Sequence, residues 1–189
     1  MGSKDFFARM IANGQFVIND SGHAILFGEF VVLTPGGVFL ELFEILRKRL
    51  GEKGAWKVIQ EIGEYQMKAA LSRYKGRFNI QNAQSSKILD FLMEILNILG
   101  WGLGTLSVDS KLGVAKIVMR NSMLPQKYLI RYGKRSRGPI DYFVLGWMKA
   151  MFEAYFGSPV EAAEVLCAAK GDPYCEFVVK AKGQRKRKN

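Results

Sequence analysis

Histidine is almost absent: His23 is the single one in 189 residues. That excludes most catalytic constellations. A Ser-His-Asp or Cys-His arrangement could draw only on His23, and nothing near it in sequence suggests a nucleophile. Long apolar runs are missing too. The longest uncharged one, Ile95 to Val108, is broken by Gly100, Gly102 and Gly104, so no span of membrane length is expected. The first residues, MGSKDFFARMIANGQ, lack the basic and apolar regions of a secretory leader, which points to a cytoplasmic chain. No phosphate-cradling loop is present, and the glycines at 100, 102 and 104 precede a strand where a dinucleotide fingerprint needs a helix. The acidic pairs Glu41/Glu44 and Glu61/Glu64 read as solvated helix faces. No catalytic set and no nucleotide-cofactor motif emerges, which argues against an enzyme.

About half of the chain, 49%, is hydrophobic, enough for a substantial core in one domain. We assign residues 1–180 to that domain and 181–189 to a basic, disordered tail. The net charge is +11, and two stretches account for the excess. One is the end, KAKGQRKRKN, and the other is KYLIRYGKRSRG at 127–138. The tail reads as solvated, with an anchor for nucleic acid or acidic lipid as the sharper alternative. The 127–138 stretch reads as a solvated loop or as the mouth of a pocket that receives an anionic head group.

Hydrophobic spacing predicts a short helix over 3–12, then strands over 15–18 and 23–33 around an NDSG turn. Pro35-Gly36-Gly37 opens a helix carrying Phe39, Leu42, Phe43, Leu46 and Leu50. Gly51 and Gly54 punctuate it before a second helix with Trp56, Ile59, Ile62 and Met67. The chain turns near Gly76. A helix over 85–99, capped by Ser85 or Ser86, is apolar over most of its circumference and should be buried on two sides. Strands follow at 103–109 and 112–119 around Ser110-Lys111, then a loop with Asn121, Ser122 and Pro125. Gly138-Pro139 starts a helix that Gly157 ends after Phe156, and strands at 160–168 and 174–180 close the chain. Grouped helices and neighbouring strand pairs predict an α+β fold with an antiparallel sheet.

The only cysteines, Cys167 and Cys175, lie four residues on either side of Gly171. On a hairpin turning there they face each other, within reach of one metal ion or of a disulfide. Zinc needs four ligands, and with essentially no histidine to supply the others, the candidates are Glu161, Glu164, Asp172, Glu176 or a residue delivered by the preceding helix. Glu164 meets an obstacle, since positions 164 and 167 of an unbroken strand face opposite ways; only a bulge would bring it to the thiols. Metal, free thiols and a disulfide all remain open on spacing alone, although cytoplasmic disulfides are rare.

The C-terminal half carries Asn121-Ser122, Leu145-Gly146, Gly157-x-Pro159, Glu164-x-x-Cys167, Gly171 and Cys175. With this spacing the segment of roughly 117–179 resembles the 4-vinyl reductase domain family. That family includes the sensor domains of phenol-responsive activators and is akin to subunits of the TRAPP vesicle-tethering complex. The resemblance implies an antiparallel sheet flanked by about four helices, a buried apolar pocket for a small hydrophobic or amphipathic molecule, and a homodimer. It also implies a structural zinc held by three cysteines and a glutamate. Here Glu164, Cys167 and Cys175 keep their places, while Asp141 stands where the third cysteine would be. Aspartate can ligate zinc, but early in a helix it is equally explained by the helix dipole. Met119 replaces an aromatic before Asn121-Ser122, which suggests a more aliphatic ligand than phenol.

The candidate lining is Phe91, Met119, Trp147, Met148, Met151 and Phe152, adaptable in shape. The expected function is that of a sensor or carrier acting through a partner protein. Vinyl-group reduction or tetrapyrrole metabolism, and a dimeric scaffold or tether, are the alternatives.

Overall fold

The computed structural model describes residues 3–77 and 86–182. Helix α1, Ser3–Ala12, leads into a three-stranded antiparallel sheet of β1 (Phe16–Ile18), β2 (Ala24–Leu26) and β3 (Glu29–Val31). The expected single strand over 23–33 is therefore a hairpin. Phe27 (φ 50°) and Gly28 (φ 77°) are both left-handed, the pairing that a two-residue hairpin turn of type I′ requires. A phenylalanine is strained in that region. Its ring is buried and packs edge-on against Tyr74, with centroids 5.6 Å apart, and against Phe91, 5.7 Å away. Apolar burial holds the turn where local chemistry would not.

Helix α2 runs Val38–Arg77 and breaks at Gly51, whose φ of 71° and ψ of 172° are non-helical. The two arms match the two helices read from the sequence. The second arm continues through Gly76 to Arg77, and the turn expected near Gly76 falls on residues 78–85, outside those described. Helix α3, Ser86–Ile98, is buried over most of its surface, at Ile88, Leu89, Leu92, Met93, Ile95 and Leu96. The alternative cap Ser85 lies outside the described residues. So does the basic tail from residue 183 onward.

A second antiparallel sheet has the order β4-β5-β7-β6, from β4 (Leu103–Asp109), β5 (Val114–Arg120), β6 (Val160–Leu166) and β7 (Cys175–Ala181). The β4–β5 turn is longer than expected and is closed by the Asp109 carboxylate, which accepts from the amides of Lys111 and Leu112 at 3.0 and 2.9 Å.

The stretch read as a loop and a solvated basic segment is largely helix α4, Met123–Tyr132, ended by left-handed Gly133. Pro125 sits in the first turn, where its missing N–H is not needed. Arg131 bonds Glu41, and the Tyr132 hydroxyl donates to Glu44 at 2.5 Å, which ties α4 to α2. Lys127, Lys134, Arg135 and Arg137 are exposed.

Helix α5, Tyr142–Phe156, begins three residues later than Pro139 suggested and ends at left-handed Gly157. It packs on β6 and β7 and on α2, and lies between sheet and helix with Phe143 to Met148 and Ala150 to Phe152 buried. The α2–α5 contact is backbone on backbone. A Cβ at Gly146 would come within 2.1 Å of the Gln60 carbonyl oxygen, and one at Gly63 within 2.2 Å of the Phe143 carbonyl oxygen. Across this seam the Trp147 indole donates to Gln66 at 2.8 Å, and Lys149 pairs with Glu64 at 2.8 Å.

Candidate metal centre

The hairpin β6–β7 is not regular. Glu164 pairs with Phe177 and Leu166 with Glu176, so one extra residue, Val165, bulges between them. That bulge places Glu164 on the face of Cys167, three residues on, as an unbroken strand could not. Gly171, at φ 103°, closes the short 3-10 turn Ala168–Lys170, and Cys175 opens β7. The result is a cluster of Glu164, Cys167 and Cys175, with ligand atoms all within 4.8 Å of one another and all three residues buried. Both cysteines are free thiols.

Asp141 completes the neighbourhood. It is fully buried immediately before α5; its side chain makes no regular capping hydrogen bond, although the Val144 amide in the first turn of that helix still acts on the carboxylate. Its amide donates to Glu164 Oε2 at 3.0 Å, and its Oδ2 accepts from the Ser122 hydroxyl. The other oxygen of each carboxylate, Asp141 Oδ1 and Glu164 Oε1, is buried without a hydrogen-bond partner. Leaving such an atom unpaired costs about 1–3 kcal/mol, and more if it is charged.

The electrostatics agree. Burial, then the Glu164 charge, pushes the Asp141 carboxyl up to about 8. Burial, then Cys167, pushes Glu164 up to about 8. The hydrogen bond between the thiols lowers Cys167 and raises Cys175. Four acidic groups held together in a dry interior repel one another once ionised, and a cation relieves that repulsion.

Two thiols and the Glu164 carboxylate, with ligand atoms within 4.8 Å of one another, suit a borderline-soft metal such as zinc; Asp141, whose amide bonds Glu164, lies outside that trio as a further buried carboxylate beside it. The residues present therefore fit the metal that the resemblance implies. The other carboxylates considered lie elsewhere. Glu161 is exposed and pairs with Lys182 at 3.5 Å. Glu176 pairs with Lys116 at 2.7 Å. Asp172 accepts from the Cys167 amide at 2.8 Å and supports the turn. Sequence reasoning noted Ser122 only as part of a motif. Its bond to Asp141 joins positions 19 residues apart, and no local pattern announces it.

The expected ligand-lining residues divide into two groups. Met119, Trp147, Met148, Met151 and Phe152 are all buried in the core on β5 and α5. Phe91 is half-buried and turns toward α1 and the small sheet, within 6.2 Å of Phe6 and 5.2 Å of Tyr74. Met93, two residues on, lies over Gly104 together with Asn97 of α3 and Met119 of β5. Two surface hollows have other linings. One, of about 480 Å³, is bordered by Lys68, Leu71, Ser72, Ala150, Glu153 and Ala154. The other, of about 430 Å³, lies between the α2 kink and the residues leading into α5, beside Trp56 and Tyr142. No described helix is long and apolar enough to cross a membrane.

Residues 128–181 match the 4-vinyl reductase domain family. This stretch runs from within α4 through α5 to the end of the β6–β7 hairpin, so Glu164, Cys167, Cys175 and Asp141 all fall inside it. No curated protein matches the chain. Among solved structures, the phenol-responsive sensory domain of the transcription activator PoxR, solved with phenol, aligns with a TM-score of 0.74 at 16% identity. That alignment covers 97% of this chain and 92% of that one. A vinyl-4-reductase family protein from Methanocaldococcus jannaschii aligns with a TM-score of 0.53 at 21% identity, covering 80% and 83%. A trafficking protein particle complex subunit 3 from Naegleria fowleri, covalently bound to palmitic acid, aligns at 0.51 and 12%, covering 77% and 93%. At these identities the likeness is one of fold, and that fold is the α+β architecture expected from the sequence.

Proposed function

We propose that this chain is a ligand-binding domain, taking a small hydrophobic or amphipathic molecule against α5 and signalling through a partner protein. The observation that carries the reading is the family match over residues 128–181. It takes in α5, whose buried side chains include Trp147, Met148, Met151 and Phe152, and the hairpin packed on that helix. Thioether and aromatic side chains re-pack around a guest at low cost. Met93, Met119, Met148 and Met151 on three different elements supply that softness.

A structural zinc held by Asp141, Glu164, Cys167 and Cys175 would brace the hairpin. It would neutralise the buried carboxylates and thiols and tie the start of α5 to β6 and β7. Such a metal would supply rigidity, with these residues as its donors. The reading extends to a homodimer. The outer face of the small sheet is an uncharged cross-strand row of Val17, Ile25 and Phe30, the last 69% exposed. A second copy could cover it without burying an unpaired charge.

Native mass spectrometry of the full chain tests the ligand reading. The expected result is a co-purifying apolar molecule released on denaturation. Its retention should fall when Met148 and Met151 are both replaced by tryptophan, whose larger side chains would displace a guest seated against α5. Protein that carries no apolar molecule, and takes up none from a panel of fatty acids and aromatics, would overturn it. Light scattering reads the dimer, and a Phe30→Asp variant should be monomeric.

A further inference from the structure

Both residues that precede the helices around the cluster give up a capping role. Ser122 stands immediately before α4 and Asp141 immediately before α5, the positions where their side chains ordinarily bond the first free amides. Neither makes a regular capping hydrogen bond. The Ser122 hydroxyl donates instead to Asp141 Oδ2, and Ser122 is 1% exposed. The chain is set up for this. Asn121 adopts a left-handed φ of 54° at the end of β5, which turns the backbone before Ser122 enters α4.

The two carboxylates are thereby treated alike. Each has one oxygen held by a hydrogen bond, from the Ser122 hydroxyl or from the Asp141 amide, and a second buried oxygen with no regular hydrogen-bond partner, that of Glu164 lying beside the two thiols. A donor that occupies one oxygen of a carboxylate fixes its rotation and leaves the other to ligate singly. Hydrogen bonds of this kind orient metal ligands and raise affinity by roughly 10–100-fold. We propose that Ser122 is a positioning residue of the metal centre: its hydroxyl orients Asp141 as the fourth ligand and so compensates for the absence of a third cysteine. This inference rests on the zinc reading above.

The test is competition of the full-length protein with a chromophoric chelator, using zinc and then cobalt. Ser122→Ala should still bind one metal per chain, about 10–100-fold more weakly. Its cobalt spectrum should be altered, because Asp141 is no longer held. Ser122→Thr and Ser122→Val add the same volume at this buried site and differ only in the hydroxyl. Threonine should keep affinity near that of the parent and valine should lose it, whatever either costs in folding. Binding by Ser122→Ala within twofold of the parent, or equal binding by the threonine and valine variants, would overturn the proposal. A parent protein that binds neither metal would refute the zinc reading itself and, with it, this inference.

Discussion

Replacing Gly146 by alanine sets two physical effects against each other. In an exposed helix interior the change stabilises by about 1 kcal/mol, since glycine has the greater backbone entropy to lose. In α5 the new Cβ would lie 2.1 Å from the Gln60 carbonyl oxygen and 3.0 Å from the Glu64 amide nitrogen. Both are backbone atoms, so no side chain can swing aside. Carbon atoms pack at about 3.5–4.0 Å, so α2 and α5 must separate by roughly 1 Å or more. Separation strains the Trp147–Gln66 and Lys149–Glu64 contacts along the same seam. Forced overpacking costs about 1–3 kcal/mol, and the rigid backbone on both sides favours the upper end. A net loss of about 2 kcal/mol lowers the melting temperature of a chain this size by about 4–8 °C. Thermal unfolding followed by circular dichroism reads it directly. Melting at or above the parent would mean that the helices do not touch here, and the account of the α2–α5 seam would fail.

Other outcomes follow from the same structure. Tyr132→Phe removes the hydroxyl that, first among its partners, holds the Glu44 carboxyl below its ordinary value. A carboxyl depressed by folding stabilises above its unfolded pKa and loses that contribution as pH falls through its folded one. The variant should therefore be about 1 kcal/mol less stable than the parent at pH 7 for the lost hydrogen bond, with the difference shrinking as pH falls below 4.5, by urea unfolding across that range. Asp141→Cys restores a third thiolate beside Cys167 and Cys175 and should tighten zinc binding in chelator competition; weaker binding would place Asp141 outside the coordination sphere. Cys175→Ser should abolish stoichiometric zinc in metal analysis, whereas Glu161→Gln, on the exposed face, should leave it unchanged.

Much of the fold was legible because local rules and tertiary packing agreed. The Gly51 break in α2, the end of α5 at Gly157 and the facing cysteines all follow from residue spacing. The misses have a common cause, which is long-range contact. Phe27 turns a hairpin because its ring is buried against Tyr74 and Phe91, residues more than 45 positions away. The stretch 123–132 is a helix because Arg131 and Tyr132 find Glu41 and Glu44 about 90 positions earlier. At the candidate site, sequence indicated Glu164, Cys167 and Cys175, and even the bulge their spacing demands. It could not show that Ser122 holds Asp141, or that the Asp141 amide bonds Glu164, because those facts depend on the residues after β5 and strand β6, with β7 between them, both reaching the start of α5.

The account centres on the buried group of Asp141, Glu164, Cys167 and Cys175 as a metal-braced hairpin. X-ray absorption at the zinc edge of protein purified under reducing conditions tests it most directly. The predicted result is one zinc per chain with two sulfur neighbours at about 2.3 Å and two oxygen neighbours at about 2.0–2.2 Å. Protein with both thiols reduced and no bound metal, or zinc with only nitrogen and oxygen neighbours, would contradict it.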